Sequence, residues 1–139
     1  MEIHSVLETC LYVDDLAAAE HFYGVVLNLP VVSACESRHV FFRCGDQMLL
    51  IFDPTETSRP DGELPPHGTT GAGHIALSVT PAELPDWQTR LADFQVEIEH
   101  VEIWPNQQRS LYFRDPAGNS VELASPQIWG IDQPHQTTH

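Results

Sequence analysis

Basic residues are scarce: six lysines and arginines stand against 20 aspartates and glutamates in 139 residues, a formal net charge of −14 at pH 7. That balance excludes a nucleic-acid backbone or an anionic membrane surface as a partner for the whole molecule. Cysteine is also sparse. Cys10, Cys35 and Cys44 are odd in number and lack C-x-x-C spacing, so neither a disulfide framework nor a structural zinc cage is signalled, and free thiols are expected. No apolar stretch approaches the length needed to span a bilayer, and Met1 to Val13 has neither the basic start nor the long apolar run of a signal peptide. The expectation is a cytoplasmic protein. With no low-complexity tract, residues 1–130 suit one domain followed by a polar tail, 131–139.

What the sequence does contain is a repeat. "RHVFFR" at 38–43 returns as "RSLYFR" at 109–114, "ETCLYV" parallels "HIALSV", and the segments ending at Pro54 and Pro126 also correspond. Each copy reads as strand, helix, then three strands, giving modules of about 5–54 and 71–126. In the first, Leu16, Ala19, Tyr23, Val26 and Leu27 form the apolar stripe of a helix that starts near Asp14 or Asp15. In the second, "TPAE" at 80–83 predicts a capping box, with Thr80 as cap and Glu83 reaching back, followed by Leu84, Trp87, Leu91 and Phe94 at helical spacing. Residues 55–70, rich in proline and glycine, predict a connector hostile to helix and sheet alike, and "RDPAGN" predicts a turn. The fold class expected is α+β: two tandem βαβββ modules forming a curved eight-stranded mixed sheet around a cleft, with helices outside.

Alternation along the strands sorts their faces. Leu7, Thr9, Leu11 and Val13 are expected to pack against the helix, turning Glu8, Cys10 and Tyr12 the other way. Ile75, Leu77 and Val79 likewise release His74, and Val121 and Leu123 release Glu122. Glu8 and His74 hold equivalent places in the two modules, as do Leu50 and Glu122, four residues before Pro54 and Pro126. Three of these four places carry metal-ligating groups. A carboxylate between Val121 and Leu123 is costly unless its charge is compensated, and a salt bridge to Arg114 or Arg43 is the plain structural alternative. His4 lies about 13 Å along the strand from Glu8, too far to share an ion, and is expected at the surface with His135 and His139.

"ETCLYVDDLAAAEHFYGVVLNLP", "GHIALSV" and "RSLYFRDPAGNSVELASP" together resemble the vicinal oxygen chelate superfamily, which includes glyoxalase I, extradiol dioxygenases, fosfomycin-resistance enzymes and bleomycin-resistance proteins. The resemblance implies a divalent metal, manganese, iron(II), zinc or nickel, held by Glu8, His74 and Glu122 in a homodimer that acts on a small molecule. It implies a glyoxalase-like enzyme of lyase, isomerase or transferase type. Leu50 departs from the four-ligand pattern of glyoxalase I, and Glu8 from the histidine usual in extradiol dioxygenases. Tyr12, Ser110, Tyr112 and Arg114 share the inward parity and are candidates to bind substrate; Glu8, Glu122 and His39 are the candidate general bases. A non-catalytic binding protein of bleomycin-resistance type and an extradiol dioxygenase-like oxygenase are the alternative readings.

Overall fold

The structure, a computed structural model, describes residues 1–131; the polar tail beyond, with His135 and His139, lies outside the described residues. The chain divides into two compact units, Met1–Gly73 with Asp115–Asn119, and His74–Arg114 with Ser120 onward. All eight expected strands are present, in two four-stranded mixed sheets.

The first sheet contains β1 (Glu8–Tyr12), β2 (Val31–Cys35), β3 (His39–Cys44) and β4 (Gln47–Phe52), in the order β1-β4-β3-β2. β1 and β4 run parallel, so the chain must cross between sheet edges, and α1 (Leu16–His21) lies on that crossing. Asp15 caps α1, its Oδ1 accepting from the Ala18 amide at 3.0 Å. The helix then widens into a π turn, Phe22–Val26, in which the Leu27 amide reaches the Phe22 carbonyl at 3.0 Å. Asn28, at φ 59°, stops it in the left-handed conformation that asparagine tolerates. The predicted stripe of Leu16, Ala19, Tyr23, Val26 and Leu27 is buried, with Phe42, Leu49 and Ile51 among the most enclosed side chains of β3 and β4.

The second sheet repeats the order, β5-β8-β7-β6, from β5 (His74–Ser78), β6 (His100–Ile103), β7 (Arg109–Arg114) and β8 (Ser120–Ala124). Leu84 and Leu91 of α3 (Leu84–Asp93), with Leu111, Phe113, Val121 and Leu123, supply its buried hydrocarbon. Trp87 is half-buried, and Phe94 sits at the helix end beneath the Arg90 guanidinium.

Three expectations need correction. The capping box does not form: Thr80 makes no side-chain cap bond, because the Glu83 amide it would receive is taken by the Thr80 carbonyl at 2.9 Å in a 3-10 turn, Pro81–Glu83. The connector opens with a helical turn, α2 (Pro54–Thr57), because Asp53 caps it through the Thr55 amide and Pro54 suits its first position. Leu7 is 70% exposed, for it precedes the first paired residue of β1.

The "RDPAGN" turn is the most heavily bonded segment. Asp115 is buried, and its carboxylate accepts from the Tyr23 hydroxyl at 2.7 Å, Asn119 Nδ2 at 2.9 Å, and the amides of Ala117 and Asn119 at 3.0 and 2.8 Å. Asn119 Nδ2 also donates to the Tyr12 carbonyl at 3.2 Å, and Asn119 Oδ1 accepts from the Gly73 amide at 2.7 Å. Burial, then the Asp115 charge, raises the Tyr23 phenol far above the ordinary tyrosine range.

A raised folded-state value contributes stability in full below the unfolded value of about 10, and that contribution is lost as pH rises above it. Tyr23→Phe is expected to lower stability by about 1–3 kcal/mol at pH 7. Urea unfolding between pH 7 and 11 should show the gap between wild type and variant closing above about pH 10; a gap constant with pH contradicts the assignment.

Candidate metal and substrate site

β5 and β8 pair in parallel, His74 opposite Ser120 and Ala76 opposite Glu122. In the first sheet Glu8 pairs with Met48 and Cys10 with Leu50. The ladder registers therefore bear out, each within its own sheet, the equivalence of Glu8 with His74 and of Leu50 with Glu122. Val121 and Leu123 occupy the core side of β8, which turns Glu122 onto the opposite face.

Glu122 is nevertheless buried. Its Oε1 lies 3.3 Å from His74 Nε2, while Oε2 has no hydrogen-bond partner. His74 is half-exposed, and its Nδ1 lies 3.1 Å from the Ser120 carbonyl and 3.2 Å from Ser120 Oγ. A carbonyl only accepts, so a bond there puts a proton on Nδ1 and leaves Nε2 as the nitrogen that faces Glu122. Two acceptors at that separation repel unless a proton or a cation is shared between them. The alternative partners considered for Glu122 are engaged elsewhere: Arg114 grips Glu99 at 3.0 and 3.3 Å, and Arg43 donates to the Gly45 carbonyl at 2.7 Å.

Tyr112 pairs with Glu122 across β7 and β8, and its ring stacks with His74 at 6.3 Å between centroids. Burial, then the Glu122 charge, holds its phenol above the ordinary tyrosine value, so it keeps its proton as a donor. Ser110 is fully buried, its Oγ accepting from Trp104 Nε1 at 2.9 Å.

The matching face of the first sheet is aromatic. Phe52 is ringed by Phe41 at 5.3 Å, Tyr12 and His39 each at 6.3 Å, and His67 at 4.8 Å. Glu8 and Cys10 are exposed on β1; burial and then Glu8 raise the Cys10 thiol, which keeps it from acting as a ready thiolate. Arg38 Nη1 donates to His39 Nδ1 at 2.8 Å, and His39 Nε2 meets Ser33 Oγ at 3.1 Å. Burial and then Arg38 lower the His39 value, so the ring is neutral with its lone pair occupied. Cys10, Cys35 and Cys44 are all free. His4 is exposed, as expected.

The structure thus brings together His74, Glu122 and Tyr112, within the second unit. Among the described residues no three His, Cys, Asp or Glu side chains are gathered closely enough to count as a metal site. Sequence reasoning missed His67, which the connector carries onto Tyr12 and Phe52, and the use of Arg38. No periodicity marks His67; Arg38 was visible only as the first letter of the repeat.

Residues 3–123 match the family model of the Glyoxalase/Bleomycin resistance protein/Dioxygenase superfamily. The chain belongs to that superfamily. A lactoylglutathione lyase from Agrobacterium tumefaciens is similar at 45% identity and a TM-score of 0.91, over 94% of this chain and 100% of that one. A glyoxalase/dioxygenase from Nostoc punctiforme shares 25% identity with TM-score 0.64, covering 89% and 98% of the two chains. The fosfomycin resistance protein FosX from Mesorhizobium loti, at 24% identity and TM-score 0.61 over 90% and 93%, shares the fold. No curated protein matches. Among the described residues no helix is long and apolar enough to cross a membrane.

An unpartnered buried carboxylate oxygen is a standing cost, and the first module carries hydrocarbon at the same place. Glu122→Leu, assayed in chelator, is therefore expected to leave stability unchanged or raise it by about 1–3 kcal/mol. A loss of more than about 1 kcal/mol by chemical denaturation contradicts this reading.

Proposed function

We propose that the protein is a metal-dependent enzyme of its superfamily, in which Glu8, His74 and Glu122 hold one divalent ion and a small oxygenated substrate binds beside it. The observation that carries this reading is the buried Glu122 Oε2 without a partner, with His74 Nε2 3.3 Å from the other oxygen of the same carboxylate. One histidine and two carboxylates suit manganese, iron(II), zinc or nickel. Such an ion, when bound, supplies a Lewis acid that stabilises negative charge developing on a substrate oxygen.

The chain's own groups do the rest. Ser120 fixes the ring orientation and tautomer of His74 through Nδ1. Tyr112, protonated beside Glu122, donates to a substrate oxygen, and Glu122 or Glu8 accepts the proton that leaves. Leu50 contributes no ligand where glyoxalase I has a carboxylate, which leaves the set at three. The name of the similar Agrobacterium protein makes glutathione thiol adducts the first substrates to try, and lyase, isomerase and transferase chemistry are the classes considered. A homodimer, supplying Glu8 from the same chain or from its copy, fits this reading. A second reading, ligand sequestration without turnover as in bleomycin-resistance proteins, draws on the aromatic face of Tyr12, Phe41 and Phe52.

Protein purified without added metal is expected to take up about one divalent ion per chain and to melt higher with it. Glu122→Gln is expected to weaken that binding about 10–100-fold. Elemental analysis and thermal shift with each of the four ions check both. Uptake unaffected by Glu122→Gln overturns the ligand set, and saturable ligand binding without metal or turnover favours sequestration.

A further inference from the structure

A cavity of about 360 Å³ opens in the first unit between the β2–β3 turn and the 54–67 segment, lined by Arg38, His67, Thr57, Arg59, Glu56 and Glu63 among others. Two of its cationic or donor groups are held open. Arg38 is fixed through its backbone, its amide bonded to the Cys35 carbonyl and its own carbonyl to the Asp53 amide, each at 2.9 Å. Its guanidinium lies 5.2 Å above the Phe52 ring centre and uses Nη1 on His39. No carboxylate among the described residues pairs with it, although the chain has 20 acidic residues and six basic ones. Arg59, by contrast, is spent on Glu56 at 3.4 Å and Asp61 at 3.3 Å.

His67 complements it. The Tyr12 hydroxyl lies 2.6 Å from His67 Nδ1, and burial followed by Cys10 raises the Tyr12 phenol, which keeps the proton it can donate there. With Tyr12 donating, His67 carries its proton on Nε2, which has no partner among the described residues. Both rings pack on Phe52, the same residue that supports Arg38.

We propose that this cavity binds the carboxylate of a small organic monoacid, its two oxygens on the free edge of the Arg38 fork and one of them also receiving the His67 Nε2 proton. Glu63 on the wall, with Glu56 already paired to Arg59, raises the cost of a second negative charge, which selects a monocarboxylate over sulfate, phosphate or a dicarboxylate. The inference concerns a second, small ligand of the protein, distinct from the thiol adducts named above as the first substrates to try. Binding itself requires no metal, so the two fail separately.

The test is a titration of the full chain, metal-free and metal-loaded, with acetate and benzoate against sulfate, hydrogen phosphate and malonate. It is followed by NMR of the His67 imidazole and Arg38 guanidinium signals. Saturable shifts with the monocarboxylates in both metal states are expected. Arg38→Gln should weaken them roughly tenfold or more, His67→Gln less, and Arg109→Gln should change nothing. If Arg38→Gln unfolds, Arg38→Lys, which keeps the charge without the fork, is expected to lose most of the affinity. Shifts that never saturate, that survive loss of the fork, or that favour a dianion overturn the proposal.

Discussion

Much of the architecture depends on one buried carboxylate. Asp115 offers only acceptors, and the fold brings four donors to its two oxygens: a tyrosine hydroxyl from the π turn after α1, a side-chain amide, and two backbone amides of its own turn. Such a charge is tolerable in the interior because every lone-pair direction used is met. Asn119 extends this network to the start of β5. Its Oδ1 holds the Gly73 amide, and the next residue pair, His74 with Ser120, opens the β5–β8 ladder. Register in a parallel pair slips by flipping faces, and burial of Val121 and Leu123 decides which side of the sheet Glu122 occupies.

The two modules share a topology and a register but spend equivalent positions differently. At the place two residues in from the start of the first strand's ladder, the last strand carries Leu50 in one copy and Glu122 in the other. Leucine there is an ordinary buried hydrocarbon, paired with Phe41 across β3 and β4. Glutamate there leaves a lone oxygen dry. A protein selected for stability alone has the cheaper solution at hand, in its own first half. Retaining the carboxylate in the second half is an expense of the kind that marks a functional position. The same contrast runs across the sheets: aromatic rings around Phe52 on one, and His74, Tyr112, His100 and Glu102 on the other.

Much of this was legible in the sequence because strand alternation and helical spacing are local rules. The stripe from Leu16 to Leu27, the β-strand faces around Leu11, Val121 and Leu123, and the equivalence of Glu8 with His74 all follow from periods of 2.0 and 3.6. What escaped was set by competition or by long-range contact. Thr80 looked like a capping residue until a tighter turn consumed the amide it needed. Tyr23 read as one more apolar residue of the stripe, since its hydroxyl finds Asp115 at a sequence distance no pattern spans. His67 sat in a proline-rich stretch with no periodicity, and only the path of residues 54–67 brings it to Tyr12.

The histidines show how one side chain type is divided between opposite tasks. In each of three rings a neighbour fixes Nδ1 and so dictates what Nε2 presents. The Ser120 carbonyl, an acceptor, holds the Nδ1–H of His74 and leaves Nε2 facing a carboxylate. Donors at Nδ1 do the reverse: the Tyr12 hydroxyl and the Arg38 guanidinium push the proton of His67 and of His39 onto Nε2. His39 uses that proton on Ser33, whereas His67 lines a cavity with Arg38, an arginine with no acid partner among the described residues. A lone pair next to a carboxylate attracts a cation; an N–H next to a guanidinium attracts an anion. The chemistry of the two units therefore differs in sign, and the difference is written in the partner of a single ring nitrogen rather than in the net charge of the chain.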